Sequence, residues 1–285
     1  MCAQPWIAEV VDAAWALQSD TPSWKSIGYV NDGKFNPGYS VNQQKVLGGR
    51  LRRIAGAITP VMTVNFEPTK DSIDLIKAVL NASYPSGTPA DLMFKVWGGA
   101  DYLGTLDHAK IAKLSLSCKV DGPLECSIDI MAAGLSEGSG AQTAVEPTSE
   151  GWRWSDGTVT VDGDDDMGCQ SFSLTIDNNL GFRRSISPKE VGAKRLPDEA
   201  VQRGEAHEIA LVLLKSIPWD LAADRPDQDL TFSVAFEDGE TVPNTLSVSY
   251  TDLMLDGDKE LPFKTEGDVE LPFKLIGIPG CCTMA

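Results

Sequence analysis

The segment QSFSLTIDNNLGFRRSI, residues 170–186, limits what this chain can fold into more than any other stretch. Phe172, Leu174 and Ile176 alternate with Ser171, Ser173, Thr175 and Asp177. A period of two marks a strand with one buried and one wet face. Asn178-Asn179 ends the alternation, and asparagine tolerates the positive φ of a tight turn. Leu180, Phe182 and Ile186 continue an apolar set beyond it, so the segment reads as a hairpin. Its wet face carries hydroxyls where most surfaces carry lysine and glutamate. Ser247, Ser249 and Thr251 repeat the trait against Leu246, Val248 and Tyr250.

Most other readable segments after the first hundred residues also alternate. In AKLSLSCKVDGPLECSIDIMAAG, Leu114, Leu116, Cys118 and Val120 face inward, followed after Asp121-Gly122-Pro123 by Leu124, Cys126, Ile128 and Ile130. A three-residue loop pairs 120 with 124 and sets Cys118 opposite Cys126, as two packed thiols in the core. Further strands read at 152–161, 209–214, 230–236 and 246–251. ELPFKTEGDV is echoed by ELPFKLIGIP, whose prolines suit strand starts or edges. One internal helix is expected, capped by Thr69 or Asp71, with Leu75, Ile76, Val79 and Leu80 as its apolar stripe. The stretches 31–50, 135–150 and 187–205 read as long loops, which in a compact domain are functional or disordered.

Ile7, Val10, Val11 and Ala14 fall at helical spacing, so residues 1–23 are read as a short docking helix or arm. That segment has no basic n-region and contains Glu9 and Asp12, so no signal peptide is expected in it. No apolar run approaches the roughly 18 residues of a membrane-spanning helix. Lys plus Arg is 24 against 41 Asp plus Glu, a formal charge of −17. Such a chain repels phosphate backbones, because nucleic-acid binding needs clustered cations.

Catalytic motifs in the chain are incomplete. Residues 28–34, GYVNDGK, resemble the start of a phosphate loop, but Phe35 replaces the hydroxyl that would hold magnesium and Pro37-Gly38 bar the following helix. His207-Glu208 opens a zincin-like string, yet position 211 is leucine. Neither His108 nor His207 is accompanied by a nucleophile elbow. Asp162, Asp164, Asp165 and Asp166 lack the glycine and glutamate of a calcium loop, with Met167 and Ser173 in those places. The six cysteines, Cys2, Cys118, Cys126, Cys169, Cys281 and Cys282, contain no C-x-x-C pair, and two histidines do not complete a zinc set. The reading is non-enzymatic, without cofactor or metal.

SFSLTIDNNL after an Asp/Gly-rich turn resembles a motif of the major tail tube proteins of long-tailed bacteriophages. Other features follow that family's order: a basic stretch from Gly48 to Arg53, the strand in ITPVMTVNFEPTKD, the helix ending at Leu80, the KLSLSCKVDGPLECSIDIMAAG hairpin and an LPFK ending. The resemblance spans about residues 24–275, and implies a mainly-β fold: a β-sandwich or half-barrel with one flanking helix, of the type shared with type VI secretion tubes. It implies one β domain over 24–275, after the N-terminal segment 1–23 and before a C-terminal tail, 276–285.

The resemblance further implies homohexameric rings that stack into a tube through which DNA passes without tight binding. Implied partners are further copies of the chain, the tail terminator, baseplate or tail-tip, tape measure and sheath proteins, in a virion tail assembled in the host cytoplasm, without membrane insertion. Ser171, Ser173, Thr175, Asp177, Ser247, Ser249 and Thr251 are then lumen candidates. Lys34, Phe35, Asn36, Tyr39, Gln43 and Lys45 are candidates for an inter-ring arm. Cys2, Cys169, Cys281 and Cys282 are candidates for a disulfide between subunits once particles leave the reducing cytoplasm. Two alternatives stand beside this: a tube subunit of a contractile injection or type VI secretion-like machine, and a β-sandwich binding module.

Overall fold

The computed structural model describes residues 8–285 except 20, 39–40, 46–50, 56–58, 81–88, 140, 142–144, 166–167, 184–189, 192–193, 196, 198, 215–229, 239–242, 257–270 and 279. Its first half contains β1 (Ala8–Glu9), β2 (Asp12–Leu17), β3 (Lys25–Ser26), β4 (Tyr29–Asn36), β5 (Val41–Lys45), β6 (Leu51–Ala55) and β7 (Val61–Glu67). Helix α1 (Ile73–Lys77) follows, then β8 (Leu92–Gly98), β9 (Asp101–Lys119) and β10 (Glu125–Glu137). The second half adds β11 (Gly157–Val161), β12 (Cys169–Asp177), β13 (Leu180–Arg183), β14 (Glu190–Val191), β15 (Lys194–Arg195) and β16 (Glu199–Gln202). It ends with β17 (Ala206–Leu213), β18 (Leu230–Glu237), β19 (Thr245–Leu255), β20 (Leu271–Gly277) and β21 (Cys282–Met284). The fold is mainly β, as the alternating pattern requires.

One antiparallel sheet of 15 strands dominates, ordered β1-β4-β7-β10-β9-β12-β17-β20-β19-β18-β11. β8, β2 and β3 branch from β9, and β21 lies on β19. The sheet is strongly curled. β12 and β18 are four steps apart in this order, about 19 Å on a flat sheet at ~4.8 Å per strand. The rings of Phe172 on β12 and Phe232 on β18 nevertheless lie 6.5 Å apart, and those of Phe172 and Phe236 6.0 Å apart. The two flanks therefore face each other across one core. Val64, Phe66, Leu114, Ile128, Leu174, Leu211 and Val234 are buried in it.

Helix α1 caps one end, burying Leu75 and Ile76, with Val79 just beyond it, as the apolar stripe predicts. The Thr69 N–H donates to Ser72 Oγ at 3.0 Å, and Ser72 Oγ donates to the Ile27 carbonyl at 2.8 Å. Trp15 Nε1–H is shared between the carbonyls of Ser26 and Asp71, tying β2 and β3 to the turn before the helix.

Several sequence expectations need correction. The N-terminal segment is strand over 8–9 and 12–17, not a docking helix. Ala13, Ala14, Trp15 and Ala16 are all buried, so this strand is covered on both faces. A strand of that kind shows no period of two, and short apolar runs do not separate it from a helix.

Residues 170–186 do not form a hairpin. β12 is flanked by β9 and β17, leaving no free edge for β13, which pairs with β16 instead. Asn179 does adopt φ 42, but Asn178 is fully buried and serves as a clasp. Its Nδ2 donates to the carbonyls of Val79 (2.8 Å) and Ile111 (2.9 Å), and its Oδ1 accepts from Gln202 Nε2 (2.9 Å). The chain crosses here rather than doubling back.

The β9–β10 hairpin keeps the expected inward face but slips by two residues, with Cys126 opposite Leu116 rather than Cys118. Asp121 at φ 62 and the Gly122 N–H to Lys119 carbonyl bond (2.9 Å) make a wider turn, which leaves Val120 exposed. An even slip conserves the face. Cys118 and Cys126 are both buried free thiols, and Cys118 stands opposite Phe172.

The stretch 31–50 is largely strand. β4 continues to Asn36 against β7, and Phe35 is in the core at 2% exposure, so it is no arm residue. The other two expected loops also contain strand: β10 runs on to Glu137, and β14, β15 and β16 lie within 187–205. The strand expected at 152–161 begins only at Gly157, after a 3-10 turn over Trp154–Asp156.

Candidate functional site

The hydroxyl faces follow from the strands. On β12 each apolar residue from Phe172 to Ile176 is buried and Ser171, Ser173, Thr175 and Asp177 are half-buried on the other side. Register extends this face sideways. Asp32, Asn65, Ser127, Ser115, Thr175 and Glu208 form one row across β4, β7, β10, β9, β12 and β17. Lys34, Thr63, Asp129, Lys113 and Asp177 form the next. Thr63 Oγ1 donates to Asp129 Oδ1 at 2.6 Å, and Asn65 Nδ2 to Asp32 Oδ1 at 2.5 Å. Asn65, Ser115, Ser117, Glu125 and Ser127 line a shallow polar depression in this face. Its charges are mixed: Lys113 and Lys119 flank the serines, and Lys274 bridges Glu208 (3.2 Å) and Asp256 (3.0 Å).

The second hydroxyl set lies elsewhere. Ser249 pairs with Ser233 on β18 and Thr283 on β21, and Ser233 pairs with Thr160 on β11, giving a four-strand row of hydroxyls. Thr158, Ala235 and Ser247 form the adjacent row. β11, β18, β19 and β21 contain no lysine or arginine. Because β12 and β18 face each other across the core, their outer faces point in opposite directions. The structure thus does not bring Ser173 and Thr175 together with Ser247, Ser249 and Thr251. Thr158, Thr160, Ser233 and Thr283 were not singled out from sequence, although the alternation in TVTV and LTFSVAF carries the signal.

The arm candidates separate in the same way. Lys34 and Asn36 lie on β4 opposite Thr63 and Val61. Gln43 and Lys45 lie on β5, which pairs with β6 in a two-stranded ribbon of its own, Gln43 opposite Arg53 and Lys45 opposite Leu51. Tyr39 lies outside the described residues.

Among the cysteines, Cys2 lies outside the described residues. Burial pushes Cys169 up to about 11 and Cys282 up to about 12. Cys281 is raised by its bond to Asp252, its Sγ standing 3.0 Å from Oδ2. Cys282 bonds instead to the Tyr250 hydroxyl. Tyr250 lies 2.7 Å from His207 Nδ1, and His207 Nε2 lies 2.6 Å from Glu205 Oε1. His207 is thus oriented by a core tyrosine and a carboxylate and is 2% exposed.

Among the described residues no group of three or more His, Cys, Asp and Glu could hold a metal ion, and no helix is long and apolar enough to cross a membrane. A family model described as phage tail tube protein matches residues 14–274, well over half of the chain. That family is a structural one rather than a family of enzymes. A search of curated proteins finds no match.

Proposed function

This chain belongs to the phage tail tube proteins, and we propose that six copies close into a ring, that rings stack, and that genomic DNA slides through the channel. The family membership over 14–274 carries this reading. The wall of that channel is the β11–β18–β19–β21 face. Its hydroxyls offer hydrogen bonds but no cations, so phosphates find nothing to hold them. The chain's net charge of −17 repels DNA within about one Debye length, ~8 Å. The β12 face, with Lys113 and Lys119 beside its serines, suits contacts with protein or solvent. Closing a sheet across subunits also removes the edge that β11 presents at the end of the strand order among the described residues.

In the virion this tube meets a tail terminator, a baseplate or tail-tip complex, a tape measure and, in a contractile tail, a sheath. Assembly takes place in the host cytoplasm. Electron microscopy of purified protein at rising concentration tests the core of this reading. Hollow rings or tubes are expected, and a strict monomer by light scattering up to millimolar protein, at low and high salt, overturns it.

A further inference from the structure

The last eleven residues, 275–285, follow the end of the family match at 274. They include β21, which among the described strands pairs with β19 alone. β20 and β21 run along the same edge of β19, interrupted by a turn. Residues 278–281 stand between Gly277 and Cys282 where β19 has only 251–252 between Tyr250 and Leu253. The Cys281 N–H closes this turn on the Ile278 carbonyl at 3.1 Å, and Gly280 takes φ +89, a value that favours glycine. The strand beyond lies antiparallel on β19, Thr283 opposite Ser249 and Met284 opposite Val248; Ser247 and Ala285 exchange N–H to carbonyl bonds at 3.0 Å, and the Thr251 N–H reaches the Cys281 carbonyl at 3.3 Å.

The core beneath does not depend on β21 for its polar pairing. Were Cys282 to leave, the Tyr250 hydroxyl would keep His207 Nδ1 at 2.7 Å, itself backed by Glu205. The backbone groups along the β19 edge would lose partners, as would the Asp252 carboxylate that Cys281 Sγ meets at 3.0 Å, and an identical strand from another molecule would restore every one of those bonds. Exchange of an identical element between copies has a small free-energy cost for this reason, and a short turn is where it starts.

We propose that β21 is an exchangeable strand: in the isolated subunit it covers the β19 edge of its own chain, and on assembly the 278–281 turn opens and β21 covers the β19 edge of a second copy. This rests on the reading of the chain as a self-assembling tube subunit. Exchange makes each subunit strap its neighbour through a segment that follows the family match.

The test uses the full chain with Cys281 and Cys282 replaced by serine. Val248 and Met284 stand directly opposite each other. One preparation carries Val248→Cys, another Met284→Cys, and the two are mixed, assembled and oxidised. Exchange gives a covalent dimer that reductant removes. A third preparation carries both substitutions and is oxidised as monomer. Its internal bond locks β21 at home, so it fails to assemble until reduced, and recovery on reduction shows that the fold is intact. Rings that form without the mixed dimer, or a locked variant that assembles as well as its reduced form, overturn the exchange alone. Absence of rings from the unmodified protein overturns the tube reading, and the exchange with it.

Discussion

Phe172 on β12 and Phe232 on β18 stack at a tilt of 53° with ring centroids 6.5 Å apart, although β17, β20 and β19 lie between their strands in the sheet. Both rings are at least 98% buried. This contact holds the two flanks together and so fixes which way each hydroxyl face points. Replacing Phe172 with alanine should cost about 3–5 kcal/mol. Urea unfolding would measure it, and a loss below about 1 kcal/mol would place the ring outside the main core.

Lysine substitutions distinguish the two hydroxyl faces. Ser233→Lys with Ser249→Lys should leave rings intact while slowing DNA ejection and lowering infectivity, because each cation creates phosphate contacts. Ser173→Lys with Thr175→Lys should change ejection little. The reverse ranking in an ejection assay would move the channel wall to the β12 face.

Asn178→Ala removes the clasp between the carbonyls of Val79 and Ile111 and the side chain of Gln202. Each buried group left unpaired costs about 1–3 kcal/mol. Amide exchange around α1 should accelerate along with the loss of global stability. Unchanged protection near Ala78 and Val79 would show that the clasp does not hold the helix end.

The buried thiols set an alkaline limit on stability. Cys118 and Cys169 are both pushed from 9.0 up to about 11, mainly by burial. Burial also raises Cys126 and Tyr250. Below pH 9 the thiols are protonated in both states. Between pH 9 and about 11 the unfolded chain loses these protons while the fold retains them, so the native state binds more protons and stability falls as pH rises. The urea midpoint should therefore decline from about pH 9 upward. A midpoint constant to pH 10.5 would contradict thiol burial.

The β5–β6 ribbon pairs only with itself among the described strands. A two-stranded hairpin is marginal alone in water. Its amides should exchange quickly in the free subunit and slowly in assembled tubes, if it bridges rings as proposed for Gln43 and Lys45. Equal exchange in both forms would remove that role.

The sequence alone determined which face the regularly alternating strands present inward, because side-chain alternation is a local property of an extended backbone. That is why the even-numbered core of β9 and β10, the Phe172, Leu174, Ile176 set and the Leu75, Ile76, Val79 stripe were all readable. Ala13 to Ala16 show no strand period because burial on both faces erases it, and the register of Cys118 and Cys126 is not legible because a slip of two leaves the pattern unchanged. Only the tertiary structure decided partners: that Asn178 crosses to Val79 and Ile111 instead of turning a hairpin, and that β12 and β18 meet through Phe172 and Phe232. Strand pairing and sheet curl join residues more than fifty positions apart, through contacts that no local period encodes. The two hydroxyl faces look identical in sequence, and the curl of the sheet sends them in opposite directions.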